Sequence, residues 1–173
     1  MSIYIKYATY IDWQSLDFIT TDILVEEGKT GGISLVKGLS ADDPKPSQST
    51  KTIDAKGKFV TKSIGCGHHH IYSTLARGMP APVATPKNFV DILKLVWWHV
   101  DKNLDLEMIK ASALAAGLYC AKNGITFVID HHASPFAVEN SLFTVKEAFD
   151  SIGLSHLLCY EISDRDGEEI RDK

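Results

Sequence analysis

The chain has 173 residues, 45% of them hydrophobic and 23% charged, with a net charge of −4. This balance argues against a general basic surface for nucleic acid or an anionic membrane, and the 9% aromatic share argues against wholesale disorder. Cys66, Cys120 and Cys159 are odd in number, widely spaced and free of any C-x-x-C pair, which speaks against a disulfide framework and fits a reducing cytoplasm.

In chain order, residues 1–13 carry Lys6 and Asp12 and lack the apolar run of a secretory signal or a membrane span. Ile3, Ile5 and Tyr7 alternate as in a half-buried strand. Residues 22–26 predict a second strand and 33–36 a third, separated by turns at Gly28 and Gly31-Gly32. Residues 39–50, with Asp42, Asp43, Pro44 and Pro46, read as an exposed loop. Residues 52–54 and 59–60 flank a turn at 55–58. Residues 1–61 are therefore expected to form a small β-layer, a β-sandwich.

From residue 62 the pattern becomes strand, helix, strand, helix, strand. Residues 64–70 form a short strand ending in histidines. Thr85 and Pro86 look like a helix start, followed by the apolar stripe Phe89, Leu93, Val96, Trp97, Val100, Leu104. Trp97 and Trp98 are expected in the core and on the helix surface. Asp105 caps a second helix running to about Lys122, with Asn123-Gly124 as its stop. Residues 125–129 predict a strand buried on both faces, ending in Asp130-His131-His132. Leu142, Val145, Phe149 and Ile152 mark a third helix closed by Gly153, and 157–160 a strand ending in Glu161. Residues 164–173 read as a charged, solvated tail. Helices alternating with buried strands give parallel βα units, so the class is α/β, with polar residues gathered past the strand ends.

Gly67-His68-His69-His70 is the leading chemical feature. Strand alternation puts His68 and His70 on one face and His69 on the other. Two neutral imidazoles at a strand end suit a divalent metal such as zinc; the bland alternative is a polar loop that happens to hold three histidines. Cys66 shares the parity of the pair, one side-chain repeat back, and is expected to pack. His131 and His132 either line the same mouth or satisfy local hydrogen bonds, with ligation as the less favoured role.

The stretch Ile53-Asp54-Ala55-Lys56-Gly57-Lys58-Phe59-Val60, then His68-His69-His70-Ile71-Tyr72-Ser73, then Leu75-Ala76-Arg77-Gly78 resembles the amidohydrolase superfamily. It is most similar to the aminohydrolase and chlorohydrolase branch, which includes cytosine, guanine and S-adenosylhomocysteine deaminases. The family pattern is D-A-x-G-x-x-V, then H-x-H, then R-G seven residues on, and Arg77 follows His70 by seven. Residues 124–131 resemble the family's second barrel strand, and 159–167 the third strand of a subgroup of aminohydrolases. Lys62-Ser63 stand where the family usually has Pro-Gly, a change of backbone stiffness that removes no ligand.

The resemblance implies a β-sandwich layer at 1–61 and, at 62–173, about the first three strands of an incomplete metal-dependent (β/α)8 barrel. It implies hydrolytic deamination of a small nitrogen heterocycle, with His68 and His70 on a divalent metal, zinc or else iron. Tyr72, Arg77, His131 and Glu161 are the implied substrate contacts, with a structural ion pair as the favoured alternative for Arg77, packing for Tyr72 and a salt-bridged loop over 161–165 for Glu161; the catalytic residues are expected beyond Lys173. On this reading the chain alone is inactive, has no nucleic-acid or membrane partner, and associates through open barrel edges, as a homo-oligomer or otherwise. The alternatives are a cyclic-amide hydrolase or chlorohydrolase of the same superfamily, and a non-catalytic partial barrel that needs a partner.

Overall fold

The structure, a computed structural model, describes residues 2–28, 31–36 and 49–173. Most of the loop expected over 39–50, and part of the turn before residue 31, lie outside the described residues. The chain divides into two compact units, residues 1–62 and 63–173.

The described residues of the first unit form one five-stranded mixed sheet. Strand β1 (Ile3–Ile11) is central. It runs antiparallel to β2 (Phe18–Val25) and parallel to β4 (Lys51–Asp54) and β5 (Phe59–Val60); β3 (Ile33–Val36) extends the sheet beyond β2. The second layer that a sandwich requires is not among the described residues. The simple alternation expected for β1 is broken by a register shift between Ile5 and Ala8, where Tyr7 takes φ +58°. Asp22 stitches this bulge from the next strand: its Oδ1 accepts from the Tyr7 amide at 2.7 Å and its Oδ2 from the Tyr4 hydroxyl at 2.8 Å. The tight turn after β4 puts Gly57 at φ +72°, which a side chain would resist.

In the second unit β6 (Ile64–His69), β7 (Ile125–His132) and β8 (Ser155–Tyr160) form a parallel sheet in that order. A 3₁₀ turn (Ile71–Ala76) leaves β6. The helix expected from Pro86 starts later: Asn88 is its cap, with Oδ1 accepting the Asp91 amide at 2.9 Å. It comprises α1 (Phe89–Ile92), a π-turn (Leu93–Trp97) and α2 (Trp98–Lys102). Leu104 falls outside it. Helix α3 (Leu106–Lys122) begins where Asp105 accepts the Met108 amide at 2.8 Å. Helix α4 (Ser141–Ile152) ends at Gly153, φ +85°.

The core of this unit lies between one face of the sheet and α3 and α4: Ile71, Ile109, Ala113, Ala116, Cys120, Val128, Val145, Ala148, Phe149 and Leu154. Gly117 lets the two helices close, since a Cβ there would sit 2.6 Å from Ile152 Cδ1 and 3.3 Å from Leu154 Cδ1. Strand β7 departs from the expected burial on both faces. Val128, Asp130 and His132 are enclosed, while Phe127 on the other face is 39% exposed. Residues 164–173 are not simply a solvated tail: Arg165 and Asp166 are largely enclosed, and Glu168–Arg171 form α5.

Candidate metal and substrate site

A bulge in β6 sets the aim of the histidines. Cys66 pairs with Val128 and His69 with Asp130, so three steps on β6 match two on β7. Gly67 and His68 together stand where a regular strand has one residue. Cys66 and His69 thus share the face toward the helices, and Cys66 packs against the core. This corrects the parity expected from the sequence, which put Cys66 with His68 and His70. Cys66 and His69 line a groove of ≈ 730 Å³ with Ala116 and Cys120 of α3.

His68 and His70 lie on the other, open face. Their Nε2 atoms are 3.0 Å apart, with the rings edge-on at 4.7 Å between centres. His70 Nδ1 is 3.1 Å from the His131 carbonyl, which can only accept, so Nδ1 carries the proton and Nε2 offers its lone pair toward His68. Burial holds His70 below the ordinary imidazole range, which favours the neutral, ligating form; the His131 carbonyl opposes this in part. Two nitrogens at this separation can be spanned by Zn–N bonds of about 2.0–2.1 Å. Among the described residues no group of three or more His, Cys, Asp or Glu is placed to hold a metal ion. The donors present therefore fit as two ligands of a larger set.

Around the pair stand three rings. Trp97 lies 5.3 Å and Tyr72 5.9 Å from His70, centre to centre, and His131 5.3 Å. Tyr72 is buried, and its hydroxyl is pushed well above the ordinary phenol range by burial and by the charges of Asp101 and Glu161. Glu161 follows β8; its amide donates to the His132 carbonyl at 2.8 Å, and its negative charge is felt at His70. Tyr72, His131 and Glu161 are thus gathered with the imidazole pair. Arg77 is not: it is exposed beside His69 in the α3 groove.

Trp97 and Asp101 escaped the sequence reading as parts of the site, and Arg165 figured there only in a salt-bridged loop with Glu161, a bond found at 3.0 Å. Trp97 packs on the site's rings rather than in the core. Asp101 and Arg165, paired at 2.6 Å, sit behind Glu161. Asp101 did carry a signal, a carboxylate four residues past Trp97 on the expected apolar stripe. Its partner lies 64 residues away and could not be read locally.

No family model matches the chain. A 5-methylthioadenosine/S-adenosylhomocysteine deaminase of Thermococcus sibiricus is 31% identical over 171 residues, covering 99% of this chain and 36% of the relative. A 5'-deoxyadenosine deaminase of Methanobrevibacter smithii is 28% identical over 159 residues, 91% of this chain and 32% of the relative. Among solved structures, a mutant atrazine chlorohydrolase from Arthrobacter aurescens, complexed with zinc and atraton, matches with a TM-score of 0.67 at 24% identity, over 91% of this chain and 35% of that one. The chain spans about a third of the length of the relatives it matches. Over most of its length the chain is similar in sequence to the two deaminases and similar in fold to the hydrolase.

Proposed function

We propose that the chain contributes the opening part of a metal-dependent aminohydrolase that deaminates a small nitrogen heterocycle by hydrolysis. The observation that carries this is the imidazole pair: two Nε2 atoms 3.0 Å apart on one face, with the His70 tautomer fixed from behind. On this reading β6, β7 and β8 are the first staves of a (β/α)8 barrel, and residues 1–61 are part of a small sandwich. The all-parallel order of the three strands supports the first part.

His68 and His70 would hold a divalent cation, zinc or iron. Such a cation supplies Lewis acidity, which makes water nucleophilic at neutral pH. Half-buried Trp97, backed by the buried Tyr72, gives aromatic surface against which a planar heterocycle packs. Glu161 offers a carboxylate that accepts from a ring or exocyclic N–H. The His131 carbonyl keeps His70 oriented. Deamination is preferred over chlorohydrolase or cyclic-amide chemistry because the curated relatives are named deaminases. Three free cysteines favour a cytoplasmic setting.

Zinc titration of the 173-residue chain by calorimetry tests the reading. We expect one weak site, lost in both His68→Ala and His70→Ala, and no deaminase turnover by the chain alone. Zinc binding that survives both substitutions overturns it.

A further inference from the structure

Residues 89–102 form a helical strap with little packing of its own. Asp101, 1% exposed, is its only buried residue, while Phe89, Val90 and Ile92 are open to solvent. A helix is normally held by its apolar face. Here ring and polar contacts take that part. Trp97 lies edge-on to His70 and Tyr72, and Lys102 Nζ meets Asp166 Oδ1 at 2.5 Å. The remaining contacts converge on Arg165. Its Nη2 reaches Asp101 Oδ2 at 2.6 Å, its Nε donates to Glu161 Oε1 at 3.0 Å, and its guanidinium carbon lies 5.2 Å from the centre of the Trp98 ring. An enclosed carboxylate needs such a partner. Arg165 Nη1 also lies 3.5 Å from Asp166 Oδ2, and among side chains the planar guanidinium is the one suited to serving three carboxylates and a ring face at once.

We propose that Arg165 is a positioning residue of the imidazole site: one guanidinium fixes the Glu161 carboxylate near His70 and clasps the 89–102 strap, so that Trp97 stands against the pair. What the positioned groups serve rests on the functional reading above; the clasp itself does not. Arg165 acts through Glu161 and the strap.

The test uses the full chain in a Trp13→Phe background, where Trp97 and Trp98 are the only indoles. Arg165→Met and Arg165→Lys are compared with that reference. The charge-balanced pair Asp101→Asn with Arg165→Met keeps the test decisive if stranding Asp101 prevents folding. Amide hydrogen exchange over residues 89–102 is expected to quicken about tenfold or more in every Arg165 variant, with α3 protection retained. Lysine, a point donor, does not restore it. Cobalt(II) added to the chain quenches nearby indole emission; the quenching per bound ion is expected to fall in the variants while cobalt affinity holds. Unchanged strap exchange in the charge-balanced pair overturns the proposal, as does a loss of protection spread equally over α3. Failure of the reference chain to bind cobalt would count against the metal reading and leave the exchange result to decide the clasp.

Discussion

Two residues on the enclosed face of β7 give the second unit opposed responses to pH. Asp130 is fully buried; its Oδ1 accepts from the Ile71 amide at 2.8 Å and its Oδ2 has no partner among the described residues. Burial pushes its carboxyl up to about 6, against 3.8. A raised carboxyl means that its favourable contribution is full below pH 3.8 and is lost as pH rises through 6. His132 is held down to about 4, against 6.5, by burial and then by His131. Its contribution is full above 6.5 and is lost as pH falls through 4. In Asp130→Asn the first loss disappears. Stability relative to wild type should therefore grow between pH 4 and 7.5, by about 3 kcal/mol at most. Urea unfolding at both pH values measures this, and a difference that stays constant contradicts it.

Elements make their case at the α3–α4 contact. Gly117 sits where a Cβ would press on Ile152, with Leu154 and Phe149 close behind. Gly117→Leu is expected to cost about 1–3 kcal/mol through overpacking, read as a lower midpoint in thermal unfolding. Most elements were legible because their signals are local. Asp105 as a cap, Gly153 as a stop and the β-rich run before Asp130 all act within a few residues. The start of α1 was misread because Pro86 suits a first helical turn, yet Asn88 has the side chain that captures an orphan amide. The site was half legible. Strand alternation correctly joined His68 to His70 but misplaced Cys66, because a bulge is settled by pairing with β7, which lies some 60 residues on. The Asp101–Arg165 pair was hidden for the same reason.

At the scale of the second unit, β6 and β8 each pair on one side only among the described residues, and Ile64 and Leu157 are 62% and 58% exposed. Parallel edges with apolar side chains beside them invite association. Light scattering of the 173-residue chain is expected to show oligomers that Leu157→Lys reduces. A strictly monomeric chain at high concentration would contradict this.

The bulge of β6 has one more consequence. It means the strand contains a spare residue, so a deletion, ordinarily the harshest change to a sheet, has one harmless address. Excising Gly67 should restore plain two-residue alternation with β7, leaving Cys66 under the helices and both imidazoles on the open side. Excising Leu158 from β8, whose register with β7 runs without a slip, has no such license and should scramble the sheet. Circular dichroism and zinc uptake on the two shortened chains would tell them apart.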